Sequence, residues 1–231
     1  MEAQLLLGQA LLDGVHLARD AAQAVAWFTV AAQAGHPPAM NMLGRCLERG
    51  WGCAPDAAAA AAWYGRAAER GDDWARYNLA NMRLRGRGVA RDRRAAWALF
   101  LAAARAGHAK SMNLVGRFLE EGWDMPRDRE AARLWYRRAA EAGDYRGQHN
   151  LASMLAEDGA IDGAVAWWHL ALEAATPDIL AAMRDSLARI GDAGPGHVGA
   201  AALRARVAER LAAHPAAAEA SPGLRPGPGR A

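Results

Sequence analysis

Residues 39–71 read AMNMLGRCLERGWGCAPDAAAAAAWYGRAAERG, and this stretch decides the fold. An apolar run at helical spacing leads to a glycine turn, a second run follows Asp56, and the stretch ends on Gly71. The same order returns along the chain. Gly35, Gly71, Gly107 and Gly143 recur every 36 residues. The pairs Trp27-Phe28, Trp63-Tyr64, Leu99-Phe100 and Trp135-Tyr136 keep that register, as do Ala31-Ala32, Ala67-Ala68, Ala103-Ala104 and Ala139-Ala140. Upstream stand Leu7-Gly8, Leu43-Gly44, Leu79-Ala80 and Val115-Gly116, then Gly14, Gly50, Gly86 and Gly122, then Asp20, Asp56, Asp92 and Asp128. So many columns in step over four units mark an internal repeat. A shorter fifth unit carries Leu151-Ala152 and Trp167-Trp168, with Asp158-Gly159 in place of the longer turn. The units run roughly 1–35, 36–71, 72–107, 108–143 and 144–175.

Each unit reads as two helices. The first carries Leu-Gly and ends at a glycine able to take the left-handed cap conformation. After a short turn, the aspartate caps the second helix through its side-chain oxygen. That helix places its aromatic pair and Ala-Ala at helical spacing, and the tryptophans at 27, 63, 135, 167 and 168 read as repeat-core positions. The small residues mark close helix crossings.

Composition agrees. The chain has 231 residues, 52% hydrophobic and 23% charged, a globular profile. Sixty alanines and few β-branched residues favour an all-α chain. Basic and acidic residues nearly balance, at a formal +3, so no clustered charge argues for nucleic acid. Lys110 is the single lysine. No secretory leader and no 18-residue apolar run is visible, so a cytoplasmic protein is expected.

These columns resemble the Sel-1-like repeat (SLR) family, related to tetratricopeptide repeats. The second unit carries Ala39, Leu43-Gly44, Gly50, Gly52, Asp56, Ala60, Trp63-Tyr64, Ala67-Ala68 and Gly71, and the third carries Gly86-Arg87-Gly88-Val89. The family tyrosine is replaced by Leu47, Arg83, Leu119 and Leu155, and Asp124 replaces a turn glycine. The resemblance implies a right-handed α-solenoid of stacked antiparallel helix pairs, with the first helices lining a concave face. About five repeats over 1–175 are expected, then C-terminal capping helices over 176–214 and a disordered tail over 215–231. Thr176-Pro177-Asp178 marks the first capping helix and Gly191–Gly196 the break after it. The sequence starts inside the first helix, so a longer native chain or a frayed first helix is expected.

No enzyme signature is found. There is no Gly-x-Ser-x-Gly elbow, no His-Glu-x-x-His helix and no phosphate-binding loop, because Lys110 follows Ala109. Some members of the resembling family are labelled β-lactamases, but the Ser-x-x-Lys of that chemistry is absent, since Gly107 stands three residues before Lys110. The seven histidines show no ligand spacing; His36 and His108, at equivalent helix starts, read as capping or surface residues. Cys46 and Cys53 read as small apolar fillers, with a single disulfide between them left open. No catalytic residue, cofactor or metal is expected.

The expected activity is binding. By analogy with tetratricopeptide grooves, the outward positions flank Leu-Gly. One column is Asn41, Tyr77, Asn113 and His149; the next includes Gln9, Arg45, Asn81 and Arg117, with Arg85 farther along. Asparagine can bridge a peptide amide, and arginine presents a fork to a carboxylate. These nine residues are the candidate protein-binding or peptide-binding positions. Trp51, Trp74 and Trp123, in turns or at a helix start, are candidate contact anchors. The expected protein is a monomeric, non-catalytic scaffold or adaptor whose partner is a protein or peptide with an acidic group. An RNA-binding helical repeat is the alternative, and it predicts a basic groove.

Overall fold

The computed structural model describes residues 1–190 and 198–213. Among these, twelve α-helices and no strand occur. The expected break at Gly191–Gly196 and the tail 215–231 lie outside the described residues. Helices α1 (Glu2–Asp13), α2 (Ala21–Gln33), α3 (Pro37–Arg49), α4 (Ala57–Glu69), α5 (Asp73–Arg85), α6 (Arg93–Arg105), α7 (Ala109–Glu121) and α8 (Arg129–Glu141) follow the 36-residue register. Then come α9 (Tyr145–Glu157), α10 (Ile161–Ala174), α11 (Pro177–Arg189) and α12 (Val198–Ala212). The chain forms two compact units, Met1–Ala132 and Arg133–Ala231.

The first unit is a run of helix hairpins in which each helix from α1 to α6 packs on the next. Its turns are closed the same way each time. Gly14, Gly50, Gly86 and Gly122 end the first helices in the left-handed conformation, at φ 67–71°. Asp20, Asp56 and Asp92 cap the second helices, their carboxylates accepting from Gln23 N, Ala59 N and Ala95 N at 2.8–2.9 Å. Each aspartate also donates its own N–H back to the first helix, to Leu11 O, Leu47 O and Arg83 O at 2.9 Å. Asp128 repeats both bonds, with Ala131 N and Leu119 O. One residue thus fixes both the start of a helix and its angle to the helix before.

The core rests on one aromatic per repeat. Phe28, Tyr64, Phe100, Tyr136 and Trp168 are all fully buried, whereas Trp27, Trp63, Trp135 and Trp167 are half-buried. The second member of each pair, Trp168 included, is therefore the central core ring, while Trp27, Trp63 and Trp167 pack against the core from its edge. The reason is steric. A β-carbon on Gly8 would lie 2.5 Å from the Phe28 ring, and one on Gly44 would lie 2.7 Å from Tyr64. In these two repeats the missing side chain on the first helix is the socket for the ring on the second; in the third and fifth, Ala80 and Ala152 hold that position and Phe100 and Trp168 are buried all the same. Ala31, Ala67, Ala103 and Ala139 are likewise fully buried. Burying a ring of this size contributes about 1.5–3 kcal/mol.

In the second unit, α9 and α10 form a hairpin joined by only Asp158–Ala160. Trp168, Leu172, Leu180, Met183, Leu187, Leu203 and Val207 share one core, so α11 and α12 lie over the apolar side of that hairpin.

Candidate protein-binding face

On the first helices, residues spaced three or four apart share a face. Along α5 this face carries Trp74, Tyr77, Asn81 and Arg85. The equivalent stripes are Pro38, Asn41, Arg45 and Arg49 on α3, and Lys110, Asn113, Arg117 and Glu121 on α7. The stripe is not uniform in exposure.

The column expected to point outward turns inward in three of its four places. Asn41 and Asn113 are buried, and Asn41 Oδ1 accepts from Asn78 Nδ2 at 2.9 Å, which ties α3 to α5. His149 is buried too, its Nδ1 accepting from Trp168 Nε1 at 3.1 Å. Burial lowers its imidazole to about 4, assisted by the Arg189 charge and opposed by Asp178. Tyr77 is half-buried among Trp74, His108 and Phe100, with ring centroids 5.1–6.2 Å away. This column therefore sits in the seam between first helices, where a polar side chain persists because it is hydrogen-bonded.

The other expected column stays accessible. Arg45 and Arg85 are exposed; Gln9, Asn81 and Arg117 are half-exposed. Gln9 donates to Asp13 at 2.8 Å, and Asn81 Nδ2 donates to Tyr77 O at 2.9 Å. Arg45 lies 5.2 Å over the Trp51 ring, and Arg117 lies 5.3 Å over Trp123. Gln9, Asp13, Arg19, Met42, Arg45 and Trp51 line a cleft of about 200 Å³.

Trp74 belongs to the same stripe and stands 50% exposed, edge-on to His108 at 4.6 Å, with Lys110 Nζ 5.0 Å over its ring. Trp51 and Trp123 are half-buried; Trp123 packs edge-on against Phe118 at 4.9 Å. Exposed Lys110 was not singled out as a contact residue, although its register with Trp74 in the next repeat was available. His108 does cap α7, Ser111 N donating to its Nδ1 at 3.3 Å, and burial lowers its pKa. His36 makes no such bond; its Nε2 pairs with Glu2 at 3.2 Å. A wider cleft of about 450 Å³ was not anticipated; it lies between α2 and α4, lined by Met40, Trp63, Arg66, Glu69 and Arg70 among others.

Cys46 and Cys53 are free thiols. Burial pushes Cys46 up to about 11, with Cys53 adding to the rise. Among the described residues, no group of three or more His, Cys, Asp or Glu is placed to hold a metal ion, and no helix is long and apolar enough to cross a membrane.

The repeat pattern described as Sel1 repeat matches residues 2–36, 37–72, 75–108 and 109–144, more than half of the chain. The chain belongs to the Sel1 repeat family. Sel1 repeat proteins are in general non-catalytic scaffolds for protein interaction. The family match ends at 144, so the α9–α10 hairpin lies beyond it. The chain is similar to a protective antigen of uropathogenic Escherichia coli strains that displays an SLR fold. The two are 29% identical with a TM-score of 0.73, over 90% of this chain and 45% of the antigen. This Sel1 repeat chain thus spans less than half of the antigen's length. A Sel1 repeat protein from Oxalobacter formigenes is 24% identical at a TM-score of 0.78, covering 90% of this chain and 87% of its own. An immunity protein of Pseudomonas aeruginosa is 16% identical at 0.58, covering 92% and 79%. At these identities the last two bear on fold alone. No curated protein matches the sequence.

Proposed function

We propose that this Sel1 repeat chain is a non-catalytic adaptor that binds a partner protein through the first-helix face, taking an extended segment across α3, α5 and α7. The observation that carries this reading is the accessible polar column: Arg45, Asn81, Arg85 and Arg117 stand on successive first helices, beside the half-exposed ring of Trp74. Gln9 extends the column onto α1. A rigid helix array presents such a row without having to order it on binding, which saves side-chain and loop entropy. Exposed tryptophan and arginine are the side chains that most often anchor interfaces.

The test is affinity capture from lysate of the source organism, using wild type and the Arg45→Ala/Asn81→Ala/Arg117→Ala triple variant. A protein captured by wild type and lost by the folded variant supports the reading and its site. Equal capture by both removes the site from this face. Nuclease-sensitive RNA in place of a protein overturns the reading.

A further inference from the structure

Two guanidinium groups on this face share an arrangement that narrows the partner's chemistry. Arg45 stacks over Trp51 and Arg117 over Trp123, at 5.2 and 5.3 Å. The two pairs hold the same repeat positions, two repeats apart. Each joins a first helix to its own turn, so the arginine is held by its face; Arg45 gives one N–H to Met42 Sδ at 3.4 Å, and its remaining donors and those of Arg117 stay available. Neither has a carboxylate partner among the described residues. Some other arginines are ion-paired, Arg76 with Asp73, Arg87 with Glu48 and Arg133 with Asp158, while Arg66 and Arg138 stack on Trp63 and Trp135 of the second helices, away from the first-helix face. The acid nearest in sequence to Arg45 is already committed, because Glu48 accepts from Tyr64 at 2.9 Å through one oxygen and from Arg87 at 3.2 Å through the other.

Between the two pairs lies Asn81, the same column position on α5. Its Nδ2 is used by Tyr77 O, which orients the amide and leaves Oδ1 able to accept from a peptide N–H. Successive first helices touch through side chains, Asn41 with Asn78 and Trp74 with His108, so each step is at least the upper end of the about 8–10 Å of packed helices and α3 and α7 stand roughly 20 Å apart. An extended chain advances about 3.3 Å per residue, so it crosses that span in about six residues.

We infer that Arg45–Trp51 and Arg117–Trp123 are two repeat-related carboxylate receptors for an extended acidic segment of the partner, whose two Asp or Glu side chains stand about six residues apart. This rests on the adaptor reading and adds the partner's chemistry to it. A peptide suits the face better than a nucleic acid, since exposed Glu121 at the end of the α7 stripe and Asp13 in the cleft would repel a continuous polyanion.

The probe is a set of fluorescein-labelled Ser/Gly peptides, alike except for two glutamates set three, six or nine residues apart, and a control with none. Binding to the full chain is read by fluorescence anisotropy up to about 1 mM, the range of a weak single contact. The six-residue spacing is expected to bind roughly tenfold tighter than the three-residue spacing, the worth of one further charge-assisted anchor. Arg45→Ala and Arg117→Ala are each expected to erase that advantage. Arg45→Lys should not restore it, because lysine lacks the planar fork. Spacing-independent binding, no binding by any peptide, or unchanged binding by alanine variants that melt like wild type would overturn the inference. So would tighter binding of a twelve-nucleotide single strand with steep salt dependence. The adaptor reading fails separately, through the capture experiment: a partner lost by the triple variant keeps it even where the glutamate spacing proves irrelevant.

Discussion

Tyr64 on α4 donates its hydroxyl hydrogen to Glu48 Oε2 on α3 at 2.9 Å, and Arg87 of the next repeat reaches both Glu48 Oε1 and Glu48 O, at 3.2 and 3.0 Å. Burial, with the adjacent Glu48 charge, pushes the tyrosine hydroxyl well above its ordinary pKa. Glu48 therefore joins three elements of two repeats. Glu48→Ala would leave a buried hydroxyl without its acceptor, which costs about 1–3 kcal/mol. Urea denaturation should show that loss. Tyr64→Phe on the Glu48→Ala background should cost far less than Tyr64→Phe alone, and purely additive effects would contradict the linkage.

Gly44 and Gly65 make a matched pair. A β-carbon on Gly44 would meet Tyr64 at 2.7 Å, whereas one on Gly65 would meet nothing within 4 Å. Gly44→Ala forces the ring to shift and should cost about 1–3 kcal/mol. Gly65→Ala, inside α4, should stabilise by about 0.5–1 kcal/mol through helix propensity. Thermal melts of the two variants should move in opposite directions.

His149 makes stability pH-dependent. In the unfolded chain it protonates near 6.5, while in the fold it stays neutral down to about 4 because it is buried. Between those values the unfolded state binds more protons, so stability rises with pH. It is complete above about 6.5, falls on acidification and levels off below about 4, by an amount on the order of 3 kcal/mol. His108, also lowered by burial, adds slope of the same sign. The midpoint urea concentration measured from pH 4 to 7.5 should follow this course, and His149→Gln should flatten it.

The two thiols should separate kinetically. Cys46 is fully buried and pushed up to about 11, while Cys53 is half-exposed and also raised by burial. The thiolate is the reactive form. At pH 8, a disulfide reagent should modify Cys53 first, with Cys46 following only as the fold opens. Single-cysteine variants assign the two phases, and equal rates would contradict the burial.

The hairpins, their turns and their caps were legible because a glycine, an aspartate and an Ala-Ala recur at fixed distances. Which ring of Trp63-Tyr64 lies in the core was not legible. Adjacent residues on a helix differ by only about 100°, so both fit a broad apolar stripe. The choice is made by Gly44, a residue on another helix. The inward turn of Asn41 was hidden for a related reason: its partner Asn78 lies one repeat on, outside any local pattern. His149 was hidden likewise, because its burial follows from the need of the Trp168 N–H for an acceptor. Arg45, Asn81 and Arg117 could be placed from register alone, since their accessible column requires no partner from another repeat; the Asn81 amide bonds Tyr77 O within its own helix.

The turn glycines also set how tightly one repeat seats on another. At Gly52 and Gly88 a β-carbon would fall 2.1 and 2.3 Å from the carbonyl oxygens of Ala21 and Ala57, so each turn lies backbone to backbone against the start of the preceding second helix. Asp124 takes that place in the fourth repeat, at a φ of 59° that only glycine adopts freely, with its carboxylate 3.7 Å from Arg93. The bulk that the other joints exclude is present here, and its backbone strain is on the order of 1 kcal/mol. This joint is therefore slacker than those at Gly52 and Gly88. Native-state hydrogen exchange should find the earliest opening at the seam between α6 and the α7–α8 turn, and Asp124→Gly should slow it. A solenoid with such a joint yields at a chosen place, so the register of α3 and α5 can persist while the links beyond it loosen.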